Sequence, residues 1–465
     1  MSPARPFAAR VSAALVALAI TFAGIGAPDR ASAQSAAQAP PQVDLRVYEI
    51  VEAVSAERIE ADIRRLAGFG TRNTFSDTLS ETRGIGAARR WIQAEFERIS
   101  AGCDGCYDVV DLRRIVPVPD TTWVVNILAI KRGTVNPDTY VIMSGDIDSR
   151  ASSGSDGESD APGANDNASG MAGAIEAARL LADHEFGNSV ILMGLSGEEQ
   201  GLWGGRHVAE EARERGWEIV GVLNNDMIGN IEGVDGVIEN NTFRVFSEPT
   251  PVTDSDRQRA RYRVFGGEVD GPSRQLARYV ARTADRFIPN LDPIMIYRLD
   301  RFGRGGHHRP FNDLGFAGVR IMETHENYTR QHQNIRVENG IAYGDVIEGV
   351  NFDYAAKLTA LNAATLAQLA WAPPAPSGVL VGGAVRPSTT LTWDPVEDPR
   401  TAGYKVYWRE TTEPQWQWSR WVGDVTTHTF DGLVIDNYLF GVAAVGHDGN
   451  ESLVAFPQGQ IPRRR

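Results

Sequence analysis

Six carboxylates stand where a fold could turn them on one another. Asp146 and Asp148 follow an apolar run at 140–143, in Ser-Gly-Asp-Ile-Asp-Ser-Arg. Asp166 lies between two asparagines in Ala-Pro-Gly-Ala-Asn-Asp-Asn-Ala-Ser-Gly. Glu198 and Glu199 follow the run 189–195, and Asp226 follows the run 219–223 after two asparagines. One acid past a strand is ordinary. Three successive strand ends bearing acids on one edge of a parallel sheet would converge, and converging carboxylates need cations. Adjacent glutamates can also divide two tasks, one binding a cation and the other staying free to move a proton. Ser-Gly before the pair and Gly-Leu-Trp-Gly-Gly after it predict a tight turn rather than a solvated loop.

The elements that must carry these acids alternate in type. Apolar residues at helical spacing (Ile50, Val54, Ile59, Ile63, Leu66) predict a helix over 45–66. Further helices are expected at 81–99, 171–181, 203–215, 273–287 and 352–371. Strands are expected at 123–130, 140–143, 189–195, 219–223, 294–297 and 319–322. This alternation predicts an α/β fold, an open and mostly parallel sheet with helices on both faces. Such a sheet places its ligand crevice at the carboxyl ends of its strands. Pro373-Pro374-Ala375-Pro376 then breaks the pattern. Short alternating runs follow at 390–393, 404–408, 418–422 and 438–445. They predict a small all-β sandwich with Trp393, Tyr404 and Tyr438 in its core.

A chain of 465 residues with 42% hydrophobic and 23% charged residues has the composition of a soluble globular protein. Its net charge of −14 argues against nucleic acid as a partner. Arg5 and Arg10, an apolar run at 11–25 and Ala31-Ser32-Ala33 predict a signal peptide over 1–33. The expected location is therefore secreted or periplasmic. That run is short for a membrane span, and no other is long enough, so none is expected after cleavage. Cys103 and Cys106 are the two cysteines. In an exported chain they suggest a local disulfide, with a free pair left open. Two cysteines cannot by themselves fill a structural zinc site.

Together, Gly-Asp-Ile-Asp-Ser-Arg, Pro-Gly-Ala-Asn-Asp-Asn-Ala-Ser-Gly, Ser-Gly-Glu-Glu-Gln-Gly-Leu-Trp-Gly-Gly and Asn-Asn-Asp-Met-Ile-Gly resemble the co-catalytic di-zinc aminopeptidases. These are the zinc exopeptidases of metallopeptidase family twenty-eight, which include glutaminyl-cyclase-like proteins. The resemblance covers roughly residues 44–371. It implies that Asp166 bridges two metal ions, that Glu199 and Asp226 are terminal ligands of one ion each, and that Glu198 is the general base. It also implies a late histidine ligand. His325 and His332 both fit, and the family pattern favours His332. Gly-His307-His308-Arg-Pro-Phe resembles the family's Ser-Asp-His-x-x-Phe, with His307 in the place of an acid and neither histidine a ligand. The main departure is Asp146, where the family has the histidine of His-x-Asp. Aspartate can bind zinc, so Asp146 is expected as a ligand, with Asp148 as a catalytic second partner. Gln331 stands where several relatives carry tyrosine.

The expected domains are a signal peptide (1–33), a flexible leader (34–43), a di-metal peptidase domain (44–372), a Pro-rich linker (373–378) and a domain resembling fibronectin type III (379–462). The expected function is that of an exported aminopeptidase acting on peptides. Two divalent ions are implied, zinc in the first site and zinc, Mn²⁺ or another hard cation in the Asp146 site. A glutaminyl-cyclase-like acyltransferase is the nearest alternative. An inactive metal-binding protein is the next, with the sandwich touching polymers or cell surfaces.

Overall fold

The computed structural model describes residues 39–117 and 121–462. The expected signal peptide and the first half of the leader lie outside the described residues. Eight strands form the principal sheet: β1 (Asp108–Pro117), β2 (Thr121–Lys131), β3 (Asn136–Asp146), β4 (Asn188–Leu195), β5 (Glu218–Asn225), β6 (Thr242–Ser247), β7 (Asp292–Ile296) and β8 (Gly318–Glu323). Their spatial order is β1-β2-β4-β3-β5-β8-β6-β7. The centre, β4-β3-β5-β8, is parallel, and β2 and β6 run antiparallel to their inner neighbours.

The central strands are apolar on both faces, which requires helices above and below. Val141, Met143, Val190, Leu192 and Leu223 enter the larger core. Their alternates Tyr140, Ile142, Ile191, Met193 and Val222 enter a smaller one. The first is covered by α1 (Arg46–Glu52), α2 (Ala56–Ala67), α3 (Gly84–Gly102), α4 (Ala168–Leu181), α7 (Pro272–Phe287) and α9 (Phe352–Trp371). The second is covered by α5 (Trp203–Glu214) and α8 (His308–Asp313). The remaining helix, α6 (Asp256–Phe265), buries no residue. Where one helix is expected over 45–66, the chain makes two. Ser55 is extended, and its side chain accepts the N–H of Arg58 at 3.2 Å, capping α2. A serine that caps a new helix interrupts the previous one.

Register brings the strand ends level. Asp146 pairs with Leu195 and Ser144 with Asn224, so β3, β4 and β5 leave the sheet together. The start of α4 presses onto β3 where both are glycine. A Cβ on Gly145 would lie 2.5 Å from the backbone of Gly170 and Met171. Only hydrogen fits there, and this contact fixes the loop that carries Asp166.

Beyond Trp371 two small sheets follow. One is built from 380–382, 388–392, 427–431 and 459–460, the other from 401–410, 418–423 and 438–446. Trp393, Tyr404 and Phe430 are buried among them, and Tyr438 packs at the edge of this core. This region sits against α7 through buried charge. Asp270 pairs with Arg278 at 2.7 Å and with Arg409 at 2.9 Å, all three nearly inaccessible to solvent. Cys103 and Cys106 are joined in a disulfide after α3. No helix among the described residues is long and apolar enough to cross a membrane.

Candidate functional site

Three of the expected ligands meet. Asp166 Oδ2 lies 3.1 Å and Glu199 Oε1 3.0 Å from His332 Nε2. This is the group of three ligand-type side chains that converges within 4.8 Å among the described residues. The chain reaches this point under strain. Leu202 after the Glu-Glu turn, Met227 after Asp226, and His332 itself have positive φ, at 62°, 61° and 54°. Such non-glycine backbone costs about 1–3 kcal/mol per residue and persists where its surroundings impose it.

The two acids of the triad are aimed by neighbours. The Asp345 carboxylate accepts the N–H of Asp166 at 2.6 Å and that of Asn165 at 2.9 Å. Asp148 accepts the N–H groups of Glu198 and Glu199, both at 3.2 Å, so it positions the glutamate turn. Arg72, buried, donates to the carbonyls of Ile147 and Gly163 and ties the end of β3 to the Asp166 loop. Burial disfavours charge on Asp166 and on His332. Their mutual hydrogen bond and attraction outweigh it, holding Asp166 down at about 2 and lifting His332 to about 9. A cation taken up here must displace the histidine proton.

Glu198 lines the same cavity of about 560 Å³, with Asp166, Glu199, Asp226 and His332. Burial, then the charge of Glu199, pushes its carboxyl well above the usual range in the absence of a cation. Five arginines also line this cavity: Arg150, Arg206, Arg301, Arg304 and Arg309. Arg301 pairs with Glu326 at 2.7 Å. Gln331 is gripped between Glu326 at 3.0 Å and Arg304 at 3.3 Å.

The structure does not bring Asp146 and Asp226 into the converging group. Asp146 Oδ1 lies 2.6 Å from His307 Nδ1, and its Oδ2 accepts from Asn167 Nδ2 at 2.6 Å. Burial favours the uncharged form of both partners, lifting Asp146 and lowering His307 to about 4. Asp226 Oδ2 lies 2.7 Å from Arg320 Nη2. Burial pushes the Asp226 acid up to about 8 against the pull of Arg320. The donors of Asp166, Glu199 and His332, two carboxylates and an imidazole, fit a zinc-type ion. The Asp146 side does not offer a second such set.

His308 is structural. Its Nε2 donates to the Leu299 carbonyl at 2.8 Å. His325 stands apart from the triad, and its carbonyl accepts from Asn230. Sequence reasoning missed Asn167, Arg320 and Glu323, and gave Asp345 no role. Glu323 accepts from Asn165 Nδ2 at 2.9 Å and from the Asn230 N–H at 2.8 Å. The available signal was Arg320 and Glu323 themselves, charged residues in a strand that is otherwise apolar.

Residues 126–336 match the model of Peptidase family M28. A protein of Leptosphaeria maculans named "probable zinc metalloprotease" is 40% identical over 422 residues, covering 90% of this chain and 98% of that protein. One of the same name from Pyrenophora teres f. teres is 40% identical over 427 residues, covering 90% and 87%. Among solved structures, LapB of Legionella pneumophila superposes with a TM-score of 0.52 at 16% identity, covering 72% of this chain and 77% of that one. The LapA aminopeptidase of the same organism gives 0.51 at 16% identity, covering 72% and 75%. At that identity the likeness is one of fold, an α/β sheet flanked by helices. With its glutamate turn, late histidine and strand-end acids in the places described, the chain belongs to peptidase family M28.

Proposed function

We propose that this chain is an exported, zinc-dependent aminopeptidase. The observation that carries the reading is the convergence of Asp166, Glu199 and His332 in an open cavity that Glu198 also lines. A zinc ion held by those three would supply Lewis-acid polarisation of the scissile carbonyl and acidify the attacking water. Glu198 takes the water proton on a carboxylate oxygen and returns it to the leaving amine. Asp148 keeps Glu198 and Glu199 apart in their two tasks by holding both backbone N–H groups. Asp345 orients Asp166 in the same way. The zinc assignment is supported by the printed names of the relatives, and the aminopeptidase assignment by that of LapA together with the motif resemblance. Export is supported by the signal-peptide pattern at 1–33. The fibronectin-like reading of residues 379–462 is supported by two packed sheets with aromatic residues between them.

Turnover is measured on aminoacyl-amides, on amino-blocked peptides and on carboxy-blocked peptides. Cleavage that needs a free amine and tolerates a blocked carboxyl end is expected. Cleavage that needs a free carboxyl end instead would replace the aminopeptidase reading with a carboxypeptidase one. Glu198→Gln is expected to keep the metal and lose about 10²–10⁴-fold in kcat, the usual worth of a general base. A Glu198→Gln protein with unaltered kcat would remove Glu198 from the mechanism.

A further inference from the structure

The resemblance to di-zinc enzymes implies a second ion held by Asp146 and Asp226 and bridged by Asp166. The residues present do not fit it. Asp146 has both oxygens engaged at 2.6 Å, one by His307 and one by Asn167. Asn167 also donates to the Asn225 carbonyl at 2.7 Å and accepts from the Gly170 N–H at 3.0 Å, so it is pinned from three sides. His307 is fully buried, with its ring against Gly205, where a Cβ would lie 2.7 Å from the imidazole.

The Asp226 side carries a stronger objection. Arg320 points from β8 into the site with no exposed surface, and its guanidinium lies 2.7 Å from Asp226. It does not depend on Asp226 for its place. The Asp300 carboxylate holds it through both oxygens at 3.2 Å, and the Gly305 carbonyl accepts from it at 2.6 Å. Arginine keeps its charge at any pH at which a protein stays folded. A divalent cation at Asp226 would face that charge with little water between to screen it. It would also lack the ligand that Asp146 gives to its own neighbours.

We infer that this chain holds a single metal ion, and that the Arg320 guanidinium stands where a second would be, as the fixed positive charge beside Asp226. Arg320 is then a positioning residue. It holds Asp226 in the cavity wall, and its charge reaches Glu198 as well. The Asp146–His307 pair closes the position that a metal-binding histidine would otherwise open. The inference rests on the reading of Asp166, Glu199 and His332 as the metal site.

Metal stoichiometry tests it without reference to turnover. The full chain is stripped with a chelator and titrated with zinc, and metal per chain is measured after dialysis by mass spectrometry. One retained equivalent is expected, with any further zinc at least about 100-fold weaker, the scale of losing ligand and surroundings together. Arg320→Lys, which keeps the charge, should also retain one. Arg320→Met should bind a second equivalent about 10-fold more tightly than the parent does, since a like charge is removed. Two equally held ions in the parent would overturn the inference and leave the triad standing. No retained ion would overturn the triad itself. The parent's count decides the matter even if Arg320→Met does not fold.

Discussion

The two sides of the cavity contain the same kinds of residue and differ in what those residues touch. On one side Asp166, Glu199 and His332 face one another, and their supports bind backbone N–H groups, leaving side-chain oxygens and the imidazole nitrogen directed inward. On the other side Asp146 and Asp226 are more deeply buried acids; His307 and Asn167 engage both oxygens of Asp146, and Arg320 lies against one oxygen of Asp226. A candidate ligand is therefore defined less by its residue type than by what a cation would have to displace, an imidazole proton on the first side and a guanidinium on the second. Buried carboxylates are always satisfied by something. Here one side turns its donors on one another and the other faces a fixed arginine charge.

The largest expected effect separates the two sides directly. His332→Ala should abolish zinc retention and reduce activity by at least about 10³-fold, as loss of both ion and base environment implies. Asp146→Ala should keep one zinc per chain. Metal analysis of the two purified variants side by side would break the comparison if Asp146→Ala were the one that emptied.

A smaller effect concerns stability. Asp146→Ala strands His307 and Asn167 in a dry site, a loss of about 1–3 kcal/mol. The exchange Asp146→His with His307→Asp keeps one acid and one imidazole in contact. It should cost less than half as much in urea denaturation. Equal losses in the two variants would mean that the pair is not the stabilising unit.

The smallest effect lies outside both sides and tests whether a single partner is enough for a buried acid. Burial lifts Glu248 to about 7, although Asn312 donates to it at 3.0 Å. A carboxyl raised in the folded state stabilises fully below its unfolded value, and that contribution is lost as pH rises through 7. Glu248→Gln should therefore melt about 2 °C above the parent at pH 8, and the gap should close towards pH 5. A gap of the same size at both pH values would show that charge on Glu248 is not its origin.

Much of this molecule is readable along the chain. Central strands betray themselves by continuous apolar runs, and α9 (Phe352–Trp371) spans the same residues as its pattern predicts. Edge strands are harder to see. β1 alternates exposed and half-buried residues and carries Asp111, Arg113 and Arg114, so its pattern resembles a polar loop. β6, six residues long, gives no such run either.

The acids at the ends of β3, β4 and β5 follow from sequence, because the period of a strand and the start of the next helix are local properties. So does the glutamate turn, since its glycines are adjacent in the chain. What those acids are bonded to does not follow. His307 lies 161 residues from Asp146, and Asn167 only 21, yet both arrive at 2.6 Å. Arg320 reaches Asp226 because β8 pairs with β5 in one register, setting Arg320 beside Asn224. Which groups carry cation-binding chemistry is legible along the chain. What each of them contacts is not, because hydrogen bonds and ion pairs between distant segments form after the sheet has fixed their register.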